Sequence, residues 1–378
     1  MNRRRFCAAA LSGAMAGMLP GAPARAQART VTDMAGRAVT LNGVPRRIVL
    51  LEARDIVTMS FLHPDPASLV VGWAAADRID SAALQARFAG RRRPDGRPIA
   101  EVGKQAPGTV SLEGILQLKP DLVVASSFMA SQADGGGVVQ RLQGLGIPVV
   151  FSDVSSNAAE ASRAGPGETL HRQMRMWGGI LGAPGRAAAY AAYVDERLAG
   201  VAQRLADAPR VTTYLEVQST LNDCCWAAGT QVWGELLALA GGRTLPGVTA
   251  PWFQKLQLEY LLSTPHDVYI ASGGGWASGG RPAIGPGLDP AEGRAGLQRL
   301  VARQGFAGLA STRHHRVHGI WTGLIAVVPL NLLFVEVAAK WLHPERCRDL
   351  DPAQTLADIN RRFLGTPIDG PLWASIQE

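Results

Sequence analysis

Several things are scarce in this chain. It has four cysteines in 378 residues, five tyrosines and only 18% charged side chains. Its N-terminal apolar run, Cys7 to Leu19, spans 13 residues. At about 1.5 Å per residue this cannot cross a hydrocarbon core of roughly 30 Å, which excludes a membrane-spanning reading of that segment. No Gly-x-Ser-x-Gly elbow occurs, and no nucleophile is spaced interpretably from a base, so acyl-transfer chemistry has no footing. The glycine runs Gly135-Gly136-Gly137 and Gly273-Gly274-Gly275 lack the Lys-Ser/Thr of a phosphate loop and read as flexible rims of a cleft. Histidines 63, 171, 266 and 343 are scattered. His314, His315 and His318 fall on an expected strand and read as packing or surface residues. A bare ion needs three or four convergent ligands, so no metal site is expected.

Charge gives little more. Of the net +7, Arg3, Arg4, Arg5 and Arg25 lie in the first 26 residues with no acid among them. The basic stretch Arg91-Arg92-Arg93 has no accompanying aromatic or recognition-helix pattern and reads as a solvated loop, so no nucleic-acid partner is expected. Three arginines, an apolar run and then Ala24-Arg25-Ala26 have the three zones of an export signal ending at residue 26. The adjacent arginines before Phe6 resemble the twin-arginine type. Removal of that segment takes Cys7 and leaves Cys224, Cys225 and Cys347, an odd number. Neighbouring α-carbons lie about 3.8 Å apart, below the usual disulfide range, so Cys224-Cys225 reads first as a structural, unbonded pair; a vicinal disulfide or a link to Cys347 stays open.

What is present points to α/β architecture. Short apolar runs such as Ile48-Val49-Leu50, Leu69-Val70-Val71, Leu122-Val123-Val124 and Val149-Val150 end in turn residues and alternate with helical stretches, as buried parallel strands do. Residues 185–208 lack proline and repeat Tyr190, Val194, Leu198 and Val201 at helical spacing, which predicts one helix of about 22 residues, roughly 33 Å long, stopped by Pro209. A second α/β set begins at Val211. An internal repeat aligns Glu113 with Glu259, Leu116 with Leu262, Asp121 with Asp267 and Ser126 with Ser272. The expected fold is two doubly wound lobes joined by one long rigid helix, with a ligand cleft between them. The divisions are 1–26 (export signal), 27–165 (first lobe), 166–208 (helical segment) and 209–378 (second lobe).

Ligands of open α/β sheets sit beyond the carboxyl ends of the strands. Residues just past the expected strands are Glu52, Arg54, Trp73, Ser127 and Phe128 in the first lobe. In the second they are Gln218, Trp226, Trp276 and Trp321. Nine tryptophans against five tyrosines favour a bulky, partly apolar ligand, and Arg54 supplies charge for an anion.

At this point the chain resembles the periplasmic binding proteins for ferric siderophores and cobalamin. The residues that carry the likeness are Thr32-Asp33-Met34-Ala35-Gly36-Arg37, Lys119-Pro120-Asp121-Leu122-Val123 and Leu239-Ala240-Gly241-Gly242. The resemblance implies a non-enzymatic, exported monomer without a cofactor that captures a metal chelate, a ferric siderophore first and haem or cobalamin as alternatives. The chelate passes to an ABC permease in the inner membrane. It also implies that Glu113 and Glu259 dock onto that permease. Arg54, Trp73, Phe128, Trp226, Trp276 and Trp321 are the candidate ligand contacts. A different class, an exported redox protein using Cys224 and Cys225, stays open.

Overall fold

A computed structural model describes residues 28–91, 93–104, 107–126, 137–152, 164–275 and 280–377. The chain opens with a hairpin of β1 (Ala28–Thr32) and β2 (Ala38–Asn42). Five strands follow: β3 (Ile48–Leu50), β4 (Val70–Ala74), β5 (Ala100–Gly103), β6 (Leu122–Ala125) and β7 (Val149–Phe151). They form one sheet in the order β5-β4-β3-β6-β7, parallel throughout. Adjacent residues of a strand face opposite sides, and here both sides are covered. Ile48 and Leu50 join one buried apolar cluster, while Val49 and Leu51 join another. The sequence run is therefore continuously apolar, as parallel sheets require.

The second sheet differs from the doubly wound expectation at its edges. Its centre, β8 (Val211–Glu216), β12 (Val268–Gly273) and β13 (Val317–Trp321), is parallel. On one side β9 (Trp226–Ala228) runs antiparallel to β8 and β11 (Phe253–Lys255) antiparallel to β9. β10 (Gly242–Arg243) pairs in parallel with the start of β8, and at the far edge β14 (Trp373–Ser375) runs antiparallel to β13. The connection from β8 to β9 is too short to hold a crossover helix, so β9 has to return antiparallel.

Two helices, Pro166–Leu181 and Pro184–Arg204, lie in sequence between the sheets and pack against each other. The second has 21 residues, about 32 Å of helix, and begins with proline at its first turn, where a missing N–H costs nothing. It ends at Arg204 rather than Ala208: residues 205–207 form turns before the chain enters β8. Tyr190 on this helix is buried between Phe61 (ring centroids 4.6 Å apart) and Phe363 (4.9 Å). Arg197 donates to the buried carboxylate of Glu336 at 2.7 Å.

The larger apolar cluster runs without a break from Val31 through this helix to Ala374. Near its end the chain returns to the first lobe before β14 joins the second sheet. Gly365 N donates to Ser60 O (2.7 Å) and Thr366 N to Ser60 Oγ (3.0 Å), while Arg186 donates to the carbonyls of both Phe61 and Phe363.

Two expectations are corrected here. His314 and His315 follow a short helix, Ala310–Arg313, instead of sharing a strand with His318. Only His318 lies in β13, buried, with Nδ1 2.9 Å from Ser375 Oγ and its ring stacked on Trp341 at 4.3 Å. Burial, aided by the charge of Arg316, lowers its pKa to about 3. Among the basic stretch, Arg93 is buried and pairs with Asp95 at 2.8 Å, so that loop is not wholly solvated.

Candidate functional site

A cavity of about 430 Å³ opens between the two sheets. Its first wall comes from the helix Asp55–Ser60 and the turn after β4. Arg54 precedes that helix, following β3, and Arg78 sits in the 3-10 turn Ala76–Ile79. Both guanidiniums hold the buried carboxylate of Glu52. Arg54 Nε and Nη2 donate to it at 2.8 and 3.0 Å, and Arg78 Nε lies 3.3 Å away. Burial by itself would raise the Glu52 pKa, but the charge and hydrogen bonds of Arg54 and the charge of Arg78 bring it below the ordinary 4.5. Two positive charges thus share one negative charge on this side.

The second wall is built from loops beyond β8, β12 and β13. Val217, Gln218 and Thr220 follow β8, Arg281 follows β12, and Thr322 and Gly323 follow β13. The β8 loop is held by hydrogen bonds: Ser272 Oγ donates to Val217 O (2.8 Å) and Arg303 Nη1 to Thr220 O (3.1 Å). Arg303 itself is buried in a bidentate pair with Glu216, at 3.0 and 2.9 Å.

Between the walls stands Asp80 of the first lobe. Its carboxylate accepts from the Thr322 hydroxyl and lies 3.4 Å from Arg281 Nη2. Its backbone carbonyl accepts from Trp321 Nε1 at 3.1 Å and Gly275 N at 3.0 Å. Gly274 is small for a reason, since a Cβ there would collide with the Asp80 carboxylate. Gly274 and Gly275 are therefore contact surfaces for Asp80 rather than free rims. The wall in total carries three guanidiniums against the carboxylates of Glu52 and Asp80, an excess of positive charge that suits an anion. Aliphatic side chains, Val57, Ile79, Ala326 and Val327, fill the rest.

The structure gathers some of the sequence candidates and disperses others. Arg54 lines the cavity. Trp73 is buried within β4, and Trp321 is fully buried with its indole spent on Asp80, so neither offers a face to the cavity. Both lie on strands of continuously buried sheet, where a large ring packs inward. Trp226 sits outside the wall, at the β9 edge, donating to Asp223 Oδ2 at 2.9 Å beneath Lys255. Phe128 and Trp276, like Ser127 and Arg3, Arg4, Arg5 and Arg25, lie outside the described residues. Arg78, Asp80, Arg281 and Thr322 were missed. Following the chain four residues past β4, rather than stopping at Trp73, would have reached Arg78.

Glu113 and Glu259 occupy the same place in each half. Each is exposed in the first turn of a short helix, Leu112–Gln117 or Leu258–Ser263, that runs into β6 or β12. Leu116 and Leu262, three residues on, are exposed as well. Cys224 and Cys225 are joined by a disulfide in the loop leading to β9, which corrects the unbonded reading, and Cys347 is buried and free. Among the described residues no cluster of metal-ligating side chains occurs.

Two α/β lobes with a charged cavity between them define a solute-binding architecture. The chain belongs to the periplasmic binding protein family, whose model matches residues 62–320. Solved structures agree on the fold. The TroA-like periplasmic binding protein FepB from Veillonella parvula is 22% identical, with 92% of this chain and 99% of that one covered and a TM-score of 0.77. The molybdate periplasmic binding protein MolA of Haemophilus influenzae, bound to molybdate, is 19% identical over 91% and 99%, with a TM-score of 0.70. An ABC-type Fe3+-hydroxamate transport protein from Saccharomonospora viridis is 21% identical over 83% and 99%, with a TM-score of 0.59. No curated protein matches the sequence. Periplasmic binding proteins of ABC importers bind small molecules and work with a membrane permease, so the family implies an exported, periplasmic protein. No described helix is long and apolar enough to cross a membrane.

Proposed function

We propose that the protein captures an anionic metal chelate in the interlobe cavity and delivers it to the permease of an ABC importer, without making or breaking a bond. The observation that carries this reading is the cavity itself, shared by both lobes and faced by Arg54, Arg78 and Arg281. Guanidiniums repel a bare cation but pair with the carboxylate or other oxyanion groups of a chelated one. An iron chelate is the first candidate, in keeping with the Fe3+-hydroxamate protein among the structural neighbours; haem is the second. Export by the twin-arginine route and a monomeric state belong to the same proposal, as does a rigid role for the helix Pro184–Arg204 in holding the lobes.

Tryptophan fluorescence titration against ferric siderophores, haem, cobalamin and free metal ions tests it. Saturable quenching by one chelate, and not by its metal-free form or the bare ion, is expected. Equal quenching by the bare ion, or no response across the panel, counts against chelate capture.

Delivery has its own test. Exposed acids on matching helices of the two halves can set the register of docking on a basic partner. Glu113→Ala with Glu259→Ala is expected to abolish uptake while the chelate's Kd stays unchanged. Uptake at the original rate would remove the docking role.

A further inference from the structure

The two arginines of the first wall are set by a carboxylate of their own lobe, Glu52, but Arg281 is not. Among the described residues its carboxylate partner is Asp80, which belongs to the opposite lobe. Arg281 Nη2 also donates to Gly273 O at 2.8 Å and lies 3.3 Å from the Thr322 hydroxyl. Asp80 is placed for this by a left-handed backbone (φ 55°), a conformation that Asp and Asn tolerate better than most residues. The next residue adds a second crossing: Ser81 caps the helix Ala82–Ala89 and donates its hydroxyl to Pro286 O at 2.7 Å.

We propose that Asp80 is the positioning residue that closes the cavity, a latch that joins the lobes and, by the same carboxylate, sets Arg281 into the ligand wall. The anion site is then complete only while the lobes are in contact. This rests on the cavity being the ligand site, but the latch can be read without any ligand.

Spin labels at Gln143→Cys and Gln298→Cys, in a Cys7→Ser background of the full chain, report the distance between the lobes by electron double resonance. Both positions are exposed, Cys347 is buried and Cys224 is bonded to Cys225. Ligand-free protein is expected to give one narrow distance. Asp80→Ala should broaden and lengthen it, with a shift of tryptophan emission as Trp321 loses its acceptor geometry. Asp80→Asn keeps an acceptor and tolerates the same backbone, so it should restore most of the narrow population. Gly274→Ala, which pushes directly on the carboxylate, should open the cleft from the other side. A fall in Tm for Asp80→Ala with an unchanged distance distribution would mean a merely structural role and overturn the proposal. So would an unchanged distribution in Gly274→Ala. Because ligand is absent from this experiment, failure here leaves the chelate titration standing, and failure of that titration leaves the latch standing.

Discussion

The two walls of the cavity reach a similar chemistry by different routes. On the first lobe, Glu52, Arg54 and Arg78 come from segments within about 30 residues of one another and hold each other in place. On the second, the loop after β8 is fixed from below by Arg303, while Arg281 and Thr322 look across the cleft to Asp80. One wall is preformed and the other is finished by contact. Preorganised groups lose less freedom when a ligand arrives, so affinity should reside mostly in the first wall, and its dependence on lobe contact in the second.

Acid should separate the two lobes most strongly. In the second, His318 stays neutral when folded down to about pH 3, whereas an unfolded histidine protonates near 6.5. Between those limits the unfolded state binds the extra proton, so stability falls as pH falls, by roughly 5 kcal/mol across the whole window. Urea midpoints at pH 7 and pH 4.5 should show this loss, and His318→Gln should flatten it. In the first lobe, the lowered pKa of Glu52 means that its contribution is present above about 4.5 and is lost only as pH drops further, through the folded value. A urea midpoint that does not fall from pH 7 to pH 4.5, or one that falls just as far in His318→Gln, would break the comparison.

Removing Arg54 and Arg78 together leaves Glu52 buried without those partners. Breaking buried pairs costs about 3–5 kcal/mol; partial exposure of both arginines lowers the expectation to roughly 2–3 kcal/mol by urea denaturation. The same double variant should weaken whichever chelate quenches fluorescence by at least about 100-fold. Thr322→Val deletes one hydrogen bond of the interlobe contact. It should lower stability by about 1 kcal/mol, with a smaller loss of affinity than in the arginine variant.

Much of the fold was legible because parallel strands are buried on both faces and announce themselves as apolar runs, as Ile48 to Leu51 do. The repeat that aligned Glu113 with Glu259 likewise marked two helices standing in equivalent places before β6 and β12. The site was less legible. Arg54 follows a strand directly and could be found by position, but Arg281 reaches the cavity only because residue 80 meets it across 201 positions of sequence. Tryptophans misled because composition cannot say which way a ring turns: Trp73 and Trp321 face the core. The edges of the second sheet were missed because β9 and β14 are three-residue strands with little pattern to read.

The return of residues 365–366 to Ser60 has a consequence for how the molecule comes apart. The chain crosses from one half to the other along the helical pair and then crosses back, and the apolar interior is continuous along the first crossing. Halves threaded together twice along the chain cannot melt as independent beads. A single cooperative heat-absorption peak, rather than two, is the calorimetric signature of such a chain, and deleting everything after Phe363 should weaken both halves at once.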